Sequence, residues 1–174
     1  MNSSIFVVMG VSGCGKSTVG ARLAAALGFP FLEGDSLHSA RNVASMAAGF
    51  PLSDEDREGW LRTLAEHIAD ARAAGRGLVV SCSALKRAYR DILREGASDL
   101  HFVHLHGDHA LLEARMAART GHYMPLSLLG SQLATLETPG ADEDAQQYDM
   151  AMETDAIVTR VMAHWPATRL LLKQ

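Results

Sequence analysis

Gly10-Val11-Ser12-Gly13-Cys14-Gly15-Lys16-Ser17 has the residue types and spacing of a phosphate cradle. It fills the pattern G-x-x-x-x-G-K-[ST], in which glycines let successive backbone N–H groups wrap an anion. The helix that follows turns its positive end toward the same anion. In such a loop Lys16 reaches the β- and γ-phosphates of a nucleotide and the Ser17 hydroxyl ligates Mg²⁺. Thr18 falls near the α-phosphate, while Gly10, Ser12, Gly13, Cys14 and Gly15 supply the cradle. ATP and Mg²⁺ are therefore the expected cofactors.

A kinase also needs an acceptor side. Glu33-Gly34-Asp35 follows a short apolar run, and a carboxylate at the end of a parallel strand lines the ligand crevice. Asp35 is the candidate base, able to accept the proton of an attacking hydroxyl or to hold Mg²⁺ through water. Lys86, Arg90 and Arg94 recur every four residues on one helix face. Lys86 and Arg87 stand at the start of that helix, where cations oppose its dipole, and this placement points to a bound anion such as a sugar acid. Arg115 and Arg119 end a later helix and are candidates to stabilise the transferring phosphoryl group from a mobile lid. His101, His104, His106 and His109 raise a metal site, but no Cys or second His group at ligand spacing accompanies them.

The cradle alone does not separate a kinase from a GTPase or a motor. The chain has no Asn-Lys-x-Asp element for reading guanine, and Leu78-Val-Val-Ser81 runs into Ser-Cys where many ATPases place an aspartate. A small-molecule kinase is the reading that remains.

These side chains need a scaffold to bring them together. Apolar runs at Ile5–Met9, Phe29–Glu33, Leu78–Ser81 and Leu100–His106 read as strands buried on both faces. A weaker fifth strand is expected near 146–152. Helices are expected at about 16–27, 39–48, 86–95, 110–118, 127–136 and 157–164, and another is opened by a Ser53/Asp56 capping box. The alternation implies an α/β fold, a parallel five-stranded sheet with helices on both faces.

The 174 residues suit a single domain over 1–174. With 48% hydrophobic and 21% charged residues the composition is that of a globular protein, and a net charge of −4 argues against nucleic-acid partners. No apolar stretch approaches the ~20 residues of a membrane helix, and no signal-peptide pattern opens the chain. Two cysteines in separate motifs fit reduced thiols, so a cytoplasmic location is expected.

Several blocks together resemble the bacterial-type gluconokinases, a small P-loop kinase family related to shikimate and adenylate kinases. They are the phosphate loop, Glu33-Gly-Asp-Ser-Leu-His38, Asn42, Met46, Gly49, Pro51-Leu52, Asp54, Asp56-Arg57 and Trp60-Leu61. Cys82-Ser-Ala-Leu-Lys86, Tyr89-Arg90-Asp91, Leu93-Arg94, Arg119, Gly121-His122, Glu137 and Pro139-Gly-Ala-Asp-Glu143 continue the series. The resemblance spans about 7–143 and implies a P-loop NTPase fold with a small helical lid. It implies ATP-dependent phosphorylation of D-gluconate at its 6-hydroxyl, with Asp35 orienting or deprotonating that hydroxyl. It further implies that Arg57, Lys86 and Arg90 bind the polyol carboxylate with His38 and His122, that Arg119 reaches the phosphates from the lid, and that the enzyme is a homodimer. A shikimate kinase-like activity, or another kinase of hydroxylated carboxylates, is the nearest alternative. It would show Asp-x-Asp at the second strand and a triple glycine, where this chain has Glu33-Gly-Asp35 and none.

Overall fold

The structure, a computed structural model, describes residues 3–121 and 124–165. Strand β1 (Ile5–Met9) is buried along its whole length and occupies the centre of a five-stranded parallel sheet of order β2-β3-β1-β4-β5. Its neighbours are β3 (Leu78–Ser81) and β4 (His101–His106), so that Val7 sits between Val80 and Phe102. Strand β2 (Phe31–Glu33) flanks β3, and β5 (Ala145–Asp149) closes the other edge.

Helix α1 (Lys16–Leu27) leaves the loop after β1. It begins from Gly15 at φ 94° and ends at Gly28, whose N–H returns to the carbonyls of Ala24 and Ala25. A 3₁₀ turn, Gly34–Leu37, follows β2 and leads into α2 (Ala40–Ala47). The expected capping box opens α3 (Asp54–Ala73): Asp56 N–H donates to Ser53 Oγ at 3.1 Å, and Ser53 N–H donates to the Asp56 carboxylate at 3.0 Å. Helix α4 (Arg87–Arg94) follows β3, and α5 (His109–Ala118) follows β4. A second 3₁₀ turn, Leu126–Leu128, runs into α6 (Leu129–Thr135), and α7 (Thr154–His164) packs on α1.

Several boundaries differ from the sequence reading by a few residues, and three of them are informative. Lys86 is the N-cap of α4 rather than part of its first turn. Helix α7 starts at Thr154, where Asp155 in its first turn pairs with Arg22 of α1 at 2.6 Å. Strand β5 ends at Asp149, and only Tyr148 of its five residues is buried, which explains its weak apolar signature. An edge strand keeps one side toward solvent and loses the continuous apolar run of the central strands.

The main core is continuous from α1 through the sheet to α3, α4 and α7. A separate small cluster joins Met46, Leu52 and Leu128, with Met124 packed against it. That cluster ties the turn before α6 to the α2–α3 connection, while Leu129 of α6 itself belongs to the main core.

Candidate active site

The carboxyl ends of β1, β2 and β3 open on one side of the sheet, at the switch in strand order where α/β folds hold ligands. Two cavities lie there, and they share Ser12, Lys16 and Asp35.

The larger, about 390 Å³, is lined by the loop from Ser12 to Thr18, by Arg115 and Arg119, and by the Met150–Thr154 segment. Gly13 and Gly15 have φ of 84° and 94°, conformations that L side chains rarely adopt. A Cβ at Gly13 would also lie 2.7 Å from Met116 Cγ, so the loop packs tightly against α5. The Lys16 ammonium donates to the Val11 carbonyl at 3.0 Å, which holds it over the loop between the two cavities. Arg115 Nη2 donates to the Met150 carbonyl at 2.8 Å and so joins α5 to the loop after β5. Ser17, in the first turn of α1, and Asp35 line the same cavity. A hydroxyl and a carboxylate are the oxygen donors that Mg²⁺ favours, and these two fit such an ion.

The smaller cavity, about 20 Å³, is lined by Asp35, His38, Arg57, Trp60, Ser83 and Gln132, with Met46, Leu52 and Met124 at its apolar side. Its floor is set by backbone contacts. A Cβ at Gly34 would stand 2.0 Å from the Ser81 carbonyl oxygen, so only glycine lets the turn bearing Asp35 approach β3. Gly34 N–H donates to Ser81 Oγ at 3.1 Å, Ser81 Oγ donates to Glu33 at 2.6 Å, and Trp60 Nε1 donates to the Gly34 carbonyl at 2.7 Å. His38 stacks on Trp60 with ring centroids 3.9 Å apart. Burial pushes the His38 imidazole down to about 4, with Arg57 acting the same way and Asp35 opposing, so it is neutral at physiological pH.

Arg57 is buried, donates to the Tyr89 hydroxyl at 3.0 Å and keeps a face on the cavity. The Tyr89 hydroxyl in turn donates to Asp54, which also accepts from Lys86 Nζ at 2.9 Å. On the far side of Ser83, Ala84 takes φ 45°, the one positive φ at a non-glycine residue in the described chain. That conformation costs on the order of 1–2 kcal/mol. It is held in place by the Ala84 carbonyl, which accepts from Arg90 Nη1 at 2.9 Å.

The basic stripe of α4 requires a correction. Arg90 has no exposed surface, and its Nε and Nη2 bond Glu143 at 2.7 and 2.9 Å. Arg94 bonds the same carboxylate at 2.6 Å. Arg87 pairs with Asp142, and its N–H donates to Glu137 at 2.8 Å. The anions at the start of this helix are the protein's own: Asp54, Glu137 and Asp142 offset the dipole that makes the cations unfavourable there. Arg90 does not reach the smaller cavity, and Lys86 is not among the residues lining it. Although burial works against ionisation of Glu143, the bonds from Arg90, Arg94 and Gly140 N–H outweigh it and hold its carboxyl at about 2.

The structure thus gathers Gly13, Cys14, Gly15, Ser17, Thr18, Arg115 and Arg119 at one cavity, His38 and Arg57 at the other, and Ser12, Lys16 and Asp35 at both. His122 lies outside the described residues. Cys14 and Cys82 are free and buried, and burial pushes the Cys82 thiol up to about 12. Of the expected histidines, His104 and His106 share a strand face with ring centroids 6.2 Å apart, and His101 pairs with Asp144. Trp60, Ser83 and Gln132 also line the smaller cavity. Trp60 falls within a block of the resemblance, but no local pattern in the sequence marks Gln132, which sits in an ordinary amphipathic stretch. No helix among the described residues is long and apolar enough to cross a membrane.

The profile described as an AAA domain matches residues 5–139. The chain is 45% identical to a gluconokinase of Gluconobacter oxydans over 161 residues, 92% of this chain and 90% of that protein. It is 43% identical to the thermoresistant gluconokinase of Escherichia coli, over 88% of this chain and 89% of that one. Among solved structures, a gluconokinase from Sinorhizobium meliloti superposes with a TM-score of 0.85 at 46% identity, covering 99% of this chain and 98% of that one. An unliganded sugar kinase from Janibacter gives a TM-score of 0.89 at 45% identity, covering 95% of this chain and 97% of that one. With identity of this order over nearly the full length of both partners, the chain belongs to the gluconokinase family.

Proposed function

We propose that this protein transfers the γ-phosphoryl group of ATP to the 6-hydroxyl of D-gluconate, giving 6-phospho-D-gluconate and ADP. The observation that carries the reading is the position of Asp35, a carboxylate lining both cavities beside Lys16. A base at that junction can accept the hydroxyl proton while the oxygen attacks the phosphorus, and the bond to the β-phosphate bridging oxygen breaks in line.

The remaining residues position and neutralise. Loop N–H groups and Lys16 hold the β- and γ-phosphates, Thr18 lies toward the α-phosphate, and Arg115 and Arg119 face the phosphates from α5 and its end. Ser17, with Asp35 through water, would hold Mg²⁺, which supplies charge neutralisation on the phosphate oxygens when bound. Arg57 is the cation placed to meet the acceptor's carboxylate, and neutral His38 can exchange hydrogen bonds with its hydroxyls. Lys86 acts at one remove, through Asp54 and Tyr89. His122 completes the acceptor side in this reading. Because the acceptor cavity is about 20 Å³, its walls must part to admit a six-carbon acid. We further propose a single catalytic domain working as a cytoplasmic homodimer.

The test is ADP release by the purified protein with gluconate, other aldonates, shikimate and nucleoside monophosphates. Turnover with gluconate well above that with the other acceptors is expected. A rate with gluconate no higher than the ATPase background overturns the reading, and preference for shikimate replaces it with the nearest alternative.

A further inference from the structure

Gln132 stands at the meeting point of the phosphate loop and the acceptor cavity, on α6 and 120 residues away from the loop it touches. Its side chain is buried at 7% exposure, and its Oε1 accepts the Ser12 N–H at 2.7 Å. A backbone N–H can only donate, so this bond decides which end of the carboxamide is oxygen. Nε2 therefore points the other way, where its partner is the thioether of Met124 at 3.1 Å. A thioether sulfur is a weak acceptor, and a carboxamide nitrogen has two protons to place. Met124 and Gln132 both line the acceptor cavity with Asp35, His38 and Arg57. Within that cavity Gln132 offers a strong, buried donor on a poor acceptor, beside the carboxylate assigned to the attacking hydroxyl.

We propose that Gln132 is an acceptor-binding residue: Nε2 exchanges the Met124 sulfur for a hydroxyl oxygen of the sugar acid, while Oε1 keeps its hold on Ser12 N–H. The carboxamide then fixes the polyol relative to the phosphate loop, because one rigid planar group touches both. Specificity follows from the same geometry. A site that hydrogen-bonds a hydroxyl discriminates against an acceptor lacking it, since the buried donor is left with the thioether alone. This inference rests on the sugar-acid reading above.

The experiment uses gluconate and single-deoxy gluconates on the wild-type enzyme, Gln132→Met and Gln132→Glu. Gln132→Met removes both bonds; Gln132→Glu retains an oxygen for Ser12 N–H but has no amide donor. Both variants should raise KM for gluconate about tenfold, the loss expected for one such hydrogen bond. Gln132→Glu should leave KM for ATP within about twofold. One deoxy analogue should lose about tenfold on the wild type and less than about twofold further on Gln132→Met. An unchanged KM for gluconate, or additive losses for every deoxy analogue, overturns the proposal. A second measurement needs no variant to fold: in ¹⁵N-labelled wild type, gluconate should shift the side-chain NH₂ signals of Gln132, and signals that stay in place at saturating gluconate also overturn it. If the wild type itself does not turn gluconate over, the functional reading fails first and the Gln132 assignment falls with it. Turnover by the wild type with a normal KM in both variants sinks the Gln132 assignment alone.

Discussion

The two cavities that meet at Asp35 are built in opposite ways. The cradle of the nucleotide side is one contiguous stretch, Ser12 to Val19, in which the glycine loop after β1 runs straight into the first turn of α1. The acceptor side is drawn from the turn after β2, from α2 and α3, from Ser83 beyond β3 and from α6. Binding phosphate needs a generic array of backbone donors, which a short local motif can supply. Recognising one polyol acid needs side chains at particular distances in several directions, and only tertiary packing can bring those together. The first cavity has about 390 Å³ of room and the second about 20 Å³. The part that is most nearly ready-made is thus the part common to many kinases.

Three further measurements test where that division runs. The largest effect is expected at the junction. Asp35→Ala should lower kcat by about 10²–10⁴-fold, the usual contribution of a positioned general base, while ATP affinity measured by calorimetry changes little. Retained turnover would remove Asp35 from the role of base and leave Lys16 as the charged group that both cavities share.

The next effect concerns the scaffold behind the acceptor side. Arg90→Met leaves Glu143 buried with Arg94 as its remaining cation. The expected cost is about 3–5 kcal/mol of folding stability, read from urea unfolding. KM values for gluconate and ATP should stay within about twofold, because Arg90 has no surface on the cavity. A large rise in the gluconate KM with little loss of stability would restore Arg90 to substrate binding.

The smallest effect lies in the sheet, away from both cavities' chemistry. His104 is 2% exposed, and neither ring nitrogen has a hydrogen-bond partner among the described residues. Burial, aided by His106 and Arg90, pushes its value from 6.5 to about 4. The unfolded chain therefore binds a proton that the folded chain refuses. Stability from this group is complete above about pH 6.5 and drains as pH falls toward about 4, by about 3 kcal/mol. His104→Leu should flatten that part of the stability–pH profile and cost little at neutral pH, since it replaces an unpaired buried polar ring by an apolar group. His38, shifted in the same direction, leaves a residual slope. An unchanged profile in His104→Leu would place the proton uptake elsewhere.

Legibility in the sequence follows the same division. The capping box at Ser53 and Asp56, the strand–loop–helix at Gly10 and the glycine end of α1 are local, and each was readable from residues a few positions apart. The stripe Lys86, Arg90 and Arg94 was equally visible, yet its meaning was not. Periodicity shows that these cations share a face; it does not show that Glu143, 53 residues from Arg90, occupies that face as their counter-ion. Strand β5 was faint because an edge strand has one side in water, so its pattern lacks the continuous apolar run of β1.

By itself the sequence determined that this chain cradles nucleotide phosphates, that the cradle sits between a buried strand and a helix, and that a carboxylate follows the second strand. Hydrogen-bond geometry over a few adjacent residues suffices for such features. Only the tertiary structure decided which side chains stand around Asp35. Arg57, His38 and Gln132 come from separate elements, and their distances depend on how Gly34 passes Ser81, how Trp60 holds the Gly34 carbonyl and how α6 reaches the phosphate loop. Those are packing outcomes between residues far apart in the chain, and no local spacing encodes them.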